Sequence, residues 1–269
     1  MRVQLLGICR FSMLVESDFQ TTGPSLDENR AILYAPERLR DRLARFRALC
    51  LPPLIAQSDP DFTLIVATGE DLPPWALGEL RAAIAPLKQA RLIQAAPGRH
   101  APICKAMLTG ATEPGADLVA QFCMDDDDAV ATDFIARSRA IARANAGLID
   151  GDRPFAINHV RGLALEAHRG HAVLTEELAR LWVPSLVMVF PGGRPRSIQN
   201  YRHDWLWRNV PVLSFPDPVM WLRSFHDHND APRPRRILAG SRGAEPEQIL
   251  RRRFGLDAVR LAQALGLRH

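Results

Sequence analysis

The chain has 269 residues, 47% hydrophobic and 24% charged, ordinary globular proportions for one large α/β domain or two small ones. No apolar run is long enough to span a bilayer, and Cys9, Cys50, Cys104 and Cys123 are far apart without a CxxC pair, which argues against a zinc knuckle or a disulfide framework. The net charge of +4 is carried almost wholly by arginine, but no helix-turn-helix, RNP-like or zinc-finger pattern accompanies it, so nucleic acid is not the expected partner.

In chain order, "VQLLGI" reads as a buried first strand. No small-residue cleavage site follows it, so it is not read as a signal peptide. A cytoplasmic protein is expected, with at most peripheral membrane contact through its basic tail. Residues 36–50 place Leu39, Leu43, Phe46 and Leu49 at helical spacing, with Pro36 in the first turn. Arg38, Arg42, Arg45 and Arg47 fall largely on the opposite face. "DFTLIVAT" predicts a second strand, Leu77, Leu80, Ile84 and Leu87 a helical stripe, "ARLIQAA" a third strand and "ADLVAQFCM" a fourth. A helix over 133–146 follows, with Thr132 available as its N-cap.

This β-α-β-α-β order predicts a mostly parallel sheet flanked by helices, with ligands bound beyond the carboxyl ends of its strands. After about residue 152 the pattern changes. "PFAINHVRGLALE" and "SLVMVF" read as strands joined by a helical "TEELARLW", and Pro, His, Trp and Arg then become dense. No linker or repeat interrupts the chain. One domain over 1–269 is expected, with a nucleotide-binding half to about 150 and an acceptor-binding, site-completing half beyond it.

The four consecutive residues Asp125, Asp126, Asp127 and Asp128 lie just past the fourth strand, at the expected ligand edge. Adjacent carboxylates repel, and oxygen donors at this density favour a hard cation, Mn²⁺ or Mg²⁺. If the strand persists, alternation pairs Asp125 with Asp127 and Asp126 with Asp128. One pair then faces a metal and the other a ribose, a backbone amide or solvent. The late cluster "RSFHDHND" offers imidazole from His226 and His228 to the same ion.

A strand, a D-x-D cluster and a late histidine resemble the layout of GT-A glycosyltransferases. More closely, "RFSML", the block from "YAPERL" to "ATGEDLP", "QFCMDDDDAVATDFI", "FPDPVMW" and "HDHND" resemble the bacterial family of putative rhamnosyltransferases, over about 11–230, with "RRRFGLD" similar to its C-terminal end. That resemblance implies a GT-A-like fold and a metal-dependent transferase. Its substrates would be a nucleotide-diphosphate sugar donor, dTDP-rhamnose by the family's naming, and a glycan or other hydroxyl acceptor. It makes Asp125 and Asp127 the D-x-D pair, with Asp126 or Asp128 as the alternative register, and His226 the late metal ligand. Arg10 and Phe11 would lie near base and ribose, and Arg223 or Arg233 near the leaving diphosphate.

An inverting transferase also needs a base, and Asp204, Asp217, Asp227 and Asp230 are candidates in the second half. Asp217, between two prolines, is equally suited to a turn, and Asp204 lies in an aromatic stretch suited to stacking on a sugar. Two other readings fit the aspartates: a metal-dependent nucleotidyltransferase or phosphohydrolase, and a nucleotide-sugar-binding protein without catalysis. The first should show a Gly-rich phosphate loop or a lysine near the first strand, and "LLGICRFSML" has neither.

Overall fold

Alternating apolar side chains build a sheet buried on both faces, and its order fixes where the aspartates emerge. In the computed structural model, which describes residues 1–16, 25–168, 170–229, 238–239 and 245–267, the elements of the first half are β1 (Val3–Arg10), α1 (Leu26–Leu33), α2 (Pro36–Arg45), α3 (Leu51–Ile55), β2 (Thr63–Gly69), α4 (Pro74–Ile84), β3 (Ala90–Ala95), α5 (His100–Gly110), β4 (Leu118–Asp125), β5 (Asp128–Val130) and α6 (Phe134–Ala144). The second half adds β6 (Phe155–His159), β7 (Arg161–His168), β8 (His171–Leu178), β9 (Leu186–Pro191), β10 (Val212–Phe215), β11 (Trp221–Phe225), β12 (Leu238–Ala239), α7 (Pro246–Ile249) and α8 (Ala258–Ala264). Short 3₁₀ turns cover Ile198–Asn200 and His203–Arg208.

Seven strands form the main sheet in the order β10-β6-β9-β4-β1-β2-β3. All its pairings are parallel except those of β9, which runs antiparallel to both β4 and β6. The expected mostly parallel α/β sheet is therefore present, and strands from both halves of the chain contribute to it. A second sheet, β12-β8-β7-β11-β5, stands beside it.

Period-two alternation splits the core in two. Val3, Leu5 and Cys9 of β1, with Ala120, Phe122 and Met124 of β4, face the larger apolar cluster that includes Leu39, Leu43 and Leu80 of the helices. Leu6 and Ile8, with Val119 and Met188, face a second cluster that takes in Cys104 and Leu108 of α5, Ile198, Leu206 and Val210. Arg10 and Asp125, the paired last residues of β1 and β4, continue this second face beyond the apolar layer.

Several local expectations are corrected. "TEELARLW" is not helical: Thr175–Leu178 close β8 against β7, where Arg161 donates to Glu176 at 2.6 Å. Cross-strand pairing overrides the helical propensity of these glutamates and leucines. "PFAINHVRGLALE" divides into β6 and β7 at Val160, each in a different sheet. The N-cap position of the helix after the aspartates falls on Asp133, which makes no side-chain capping bond, while Thr132 donates its hydroxyl to the carbonyl of Arg253. The helix begun at Pro36 passes through a π-helical turn at Phe46–Cys50 into α3. Among the described residues, no helix is long and apolar enough to cross a membrane.

His159, at the end of β6, is 2% exposed, lies between Phe134 and Phe215, and among the described residues neither ring nitrogen has a hydrogen-bond partner. Burial, aided by the charge of Arg137, pushes its pKa down to about 4. The folded chain thus stays neutral at His159 while the unfolded chain gains a proton below about 6.5, so stability is lost as pH falls between those values. His159→Phe should remove roughly 2 kcal/mol of the stability difference between pH 7 and pH 5. Urea midpoints of both proteins at the two pH values measure this, and parallel shifts would contradict it.

Candidate active site

The aspartate run begins as strand and then leaves it. Asp125 is the last residue of β4, Asp126 and Asp127 form a turn, and Asp128 opens β5. The turn brings the expected pair Asp125 and Asp127 together but does not pair Asp126 with Asp128. Instead, carboxylate oxygens of Asp125, Asp127 and Asp128 all lie within 4.8 Å of one another. Asp126 is not part of that group and is fully buried.

What lies opposite Asp126 is Arg42. Its Nε donates to Asp126 Oδ2 at 3.1 Å and its Nη2 pairs with Asp126 Oδ1, while Nη1 donates to Asp127 Oδ2 at 2.7 Å. Three of the arginines expected on a solvated face are thus not solvated: Arg38, Arg42 and Arg45 are buried, at 5–6% exposure, whereas Arg40 and Arg47 are exposed. Positions 38, 42 and 45 follow helical spacing, so one stripe of α2 carries them toward the carboxyl edge of the sheet. Arg38 donates to Ser12 in the loop after β1 at 3.2 Å, and Arg45 donates to Asp41 at 2.9 Å.

Asp127 accepts two more hydrogen bonds on the same oxygen, from His226 Nε2 at 2.8 Å and Asn229 Nδ2 at 3.0 Å. The backbone N–H of His228 donates to His226 Nδ1 at 3.2 Å, which assigns the proton of a neutral His226 to Nε2. Burial would raise the pKa of Asp127, but the charge of Arg42 and the bond from His226 outweigh it and hold the carboxylate well below its ordinary range. Burial holds His226 below its ordinary value against the opposing pull of Asp127.

Asp128 has the opposite balance. Its Oδ1 accepts the backbone N–H of Ser224 at 3.2 Å, and its Oδ2 is buried without a partner among the described residues. Burial and the neighbouring Asp127 charge push this carboxyl well above its usual range, against the pull of Arg223. A buried orphan oxygen beside two further carboxylates is a place where a cation relieves both desolvation and repulsion. Oxygen donors at this density suit Mn²⁺ or Mg²⁺. Asp125, Asp127 and Asp128 therefore fit such an ion, whereas both ring nitrogens of His226 are engaged, by Asp127 and by the N–H of His228, so His226 orients Asp127 and does not join the oxygens.

The other sequence candidates are distributed as follows. Arg10 pairs with Asp125 and places Nη1 3.3 Å from His100 Nε2. Phe11 is fully buried, its ring 5.8 Å from that of Phe46, so it packs the core and has no face left for a base. Arg223 sits across the β5–β11 ladder from Asp128 with its guanidinium 5.3 Å from the Trp182 ring. His228 turns from the aspartates to Asp41, at 3.0 Å. Asp217 pairs with Arg161 and Asp227 is exposed. The side chain of Asp204, and Asp230 and Arg233, lie outside the described residues.

Sequence reasoning missed Arg42 and Asn229. The signal for Arg42 was the 38–42–45 stripe, and for Asn229 its place three residues after His226. Asp71, just beyond β2, was also missed; it accepts from Tyr34 at 2.6 Å and Arg30 at 2.7 Å.

The family model described as "Putative rhamnosyl transferase" matches residues 4–237, and the chain belongs to that family. None of the curated proteins compared with it matches. Among solved structures, the chain is similar to S. aureus TarS in complex with UDP-GlcNAc, at 9% identity and a TM-score of 0.45, over 86% of this chain and 60% of that one. It is also similar to a putative glucose-1-phosphate thymidylyltransferase from Bacillus anthracis, at 11% identity and a TM-score of 0.33, over 81% of this chain and 88% of that one. Mouse xyloside xylosyltransferase 1 aligns at 10% identity and a TM-score of 0.28, over 59% of this chain and 53% of that one.

Proposed function

We propose that this member of the rhamnosyl transferase family moves a sugar, rhamnose by the family's description, from a nucleoside diphosphate to a hydroxyl of a glycan or other acceptor. In this reading dTDP-rhamnose is the donor, and Mn²⁺ or Mg²⁺ is held by Asp125, Asp127 and Asp128, with His226 orienting Asp127. The observation that carries the proposal is the convergence of three carboxylates within 4.8 Å at the end of β4, with the orphan oxygen of Asp128 among them. When bound, the ion neutralises the diphosphate as the glycosidic bond breaks.

The protein's own groups prepare that site. Arg42, His226 and Asn229 all bond Asp127 through Oδ2, which fixes the carboxylate plane and leaves Oδ1 outside this set of bonds. Arg10 on β1 and Arg223 on β11 flank the carboxylates and present positive charge to the same anionic group. Peripheral contact of the basic tail with a membrane belongs to this proposal as well, since a glycan acceptor carried on lipid would lie there.

Calorimetry with dTDP tests it. Binding should be measurable with Mn²⁺ and weaken at least about tenfold, roughly 1.4 kcal/mol, when EDTA is added. Equal affinity under both conditions would remove the metal from the proposal. Transfer from dTDP-rhamnose, followed as release of dTDP, tests the donor.

A further inference from the structure

The segment before β9 crosses the carboxyl edge of the main sheet. β9 enters that sheet at Leu186, opposite Asn158 near the end of β6, and its next residue, Val187, pairs with Phe122 of β4. Asp125 lies beyond Phe122 at the end of β4, so residues 181–185 stand on the same edge as the carboxylates. Leu181 has a φ of 59°, left-handed backbone that a leucine rarely adopts. Its N–H donates to Asn158 Oδ1 at 2.9 Å, and its side chain is buried with Leu186 and Met188. That turn commits Leu181 to the core of the main sheet and sends Trp182 to the second sheet.

There Trp182 meets one face of β11. Trp221, Arg223 and Phe225 alternate along that strand and so share a face. All three reach the indole: the ring of Trp221 is 5.0 Å from it, that of Phe225 6.2 Å, and the Arg223 guanidinium 5.3 Å. Gly162, opposite Trp221 in β7, makes room for this stack, since a Cβ there would overlap the Trp221 ring. Trp221 Nε1 donates to the carbonyl of His159 at 3.0 Å, which fixes that ring in turn. These contacts support Trp182 from one side. The residue is only half-buried, so the other side of its indole keeps open surface.

The same face of the second sheet leads to the carboxylates. Asp128, Arg223, Ala164 and Thr175 lie opposite one another across β5, β11, β7 and β8. Arg223 is one strand spacing, about 5 Å, from Asp128. Its charge favours the ionised forms of both Asp127 and Asp128. A guanidinium that reaches the carboxylates and the indole together puts Trp182 next to the proposed donor site.

We propose that Trp182 is the platform of the acceptor subsite and takes a pyranose ring of a saccharide acceptor on its open side, beside Arg223. The proposal rests on the transferase reading above. A flat apolar surface next to hydrogen-bond donors matches a sugar, which presents C–H groups on one side and hydroxyls around its rim. The donor is held through its diphosphate at Asp125, Asp127 and Asp128, and Trp182 sits over the neighbouring strand, where a second substrate faces the donor's sugar.

The test uses the full chain as wild type, Trp182→Leu, which fills space without a flat ring, Trp182→Phe, which keeps one, and the control Trp75→Ala, an exposed tryptophan on α4 that also faces an arginine. On an array of immobilised oligosaccharides, with Mn²⁺ and dTDP present, wild type and Trp75→Ala should retain the same saccharides. Trp182→Leu should lose at least tenfold in signal, and Trp182→Phe should recover part of it. Calorimetry with Mn²⁺ should give unchanged affinities for dTDP and for dTDP-rhamnose in all four, which also shows that each is folded. Array retention by Trp182→Leu equal to wild type, or no retention by wild type, would overturn the proposal. So would a tenfold loss of dTDP-rhamnose affinity in Trp182→Leu with dTDP affinity unchanged, which would put the donor's own sugar on the indole. Absence of Mn²⁺-dependent dTDP binding in the wild type would sink the transferase reading separately, while Trp182-dependent array retention would still support a saccharide site.

Discussion

Asp127→Asn should lower sugar-transfer turnover by roughly 10²–10³-fold, the scale on which one charge-stabilising group acts, while the chain stays folded. The asymmetry of its hydrogen bonds is the reason. Arg42, His226 and Asn229 all donate to Oδ2. An asparagine keeps those donors satisfied only by placing its carbonyl oxygen there, which turns the NH₂ group toward Asp125 and Asp128. Two N–H donors then replace one lone-pair oxygen in the proposed ion site. Asp126 still neutralises Arg42, so the loss of charge does not strand a buried cation. Asp126→Asn should behave differently, because Asp126 is not in the carboxylate group and, among the described residues, its ion pair is with Arg42: its cost should appear in melting temperature before it appears in Mn²⁺ affinity. Steady-state kinetics, Mn²⁺ titration and thermal melts on both variants read this out. Turnover within about threefold of wild type in Asp127→Asn would exclude Asp127 from the ion site, since removal of even one useful ligand costs more than that.

The parts of this architecture that local pattern determines were legible in the sequence. Strands such as "DFTLIVAT" and "ADLVAQFCM" are buried on both faces and read as continuous apolar runs, so their parallel order and the ligand edge at Asp125 followed. What local pattern cannot show is which distant group completes a charge. Arg42 looks like the polar side of an amphipathic helix until Asp126, 84 residues later, folds against it. Periodicity told apart the two faces of α2, but it could not say that the polar face meets carboxylates and not water. The alternation expected for the aspartates is met only at Asp125 and Asp127 for a related reason: the chain must turn at Asp126 and Asp127 to pass from β4 in one sheet to β5 in the other. In β8, Glu176 and Glu177 carry helix propensity, yet both are buried, and Glu176 meets Arg161 across the ladder. His226 emerged as a candidate from the polar cluster "RSFHDHND" and from the late histidine that the family resemblance implies; that it, and not His228, reaches Asp127 goes with Asn229 accepting its backbone N–H at 2.5 Å.

Arg42→Met should be the most destabilising single change at this edge. Methionine fills the space of the arginine stem but removes the one cation that, among the described residues, is bonded to Asp126, whose carboxylate is 0% exposed. Deleting one partner of a buried pair strands the other charge, at a cost of about 3–5 kcal/mol. For a chain of this size that corresponds to a fall of about 10 °C in melting temperature. Arg42→Lys keeps the charge but loses the two-pronged contact with Asp126 and the separate bond to Asp127, so it should fall between wild type and methionine. Manganese gives the decisive comparison. An ion at about a hundred times its Kd adds about 2.7 kcal/mol to any protein that binds it only when folded. Without Arg42 the carboxylates lose their internal counter-cation, so the ion should bind more tightly and raise the melting temperature of Arg42→Met further than that of wild type. This follows if Arg42 and the metal neutralise the same charges, the guanidinium through Asp126 and Asp127 Oδ2 and the ion among Asp125, Asp127 and Asp128. A shift with Mn²⁺ no larger in Arg42→Met than in wild type would show that the two cations act independently, and a melting temperature within about 2 °C of wild type would show that the Asp126 carboxylate takes up a proton without cost when its arginine is gone.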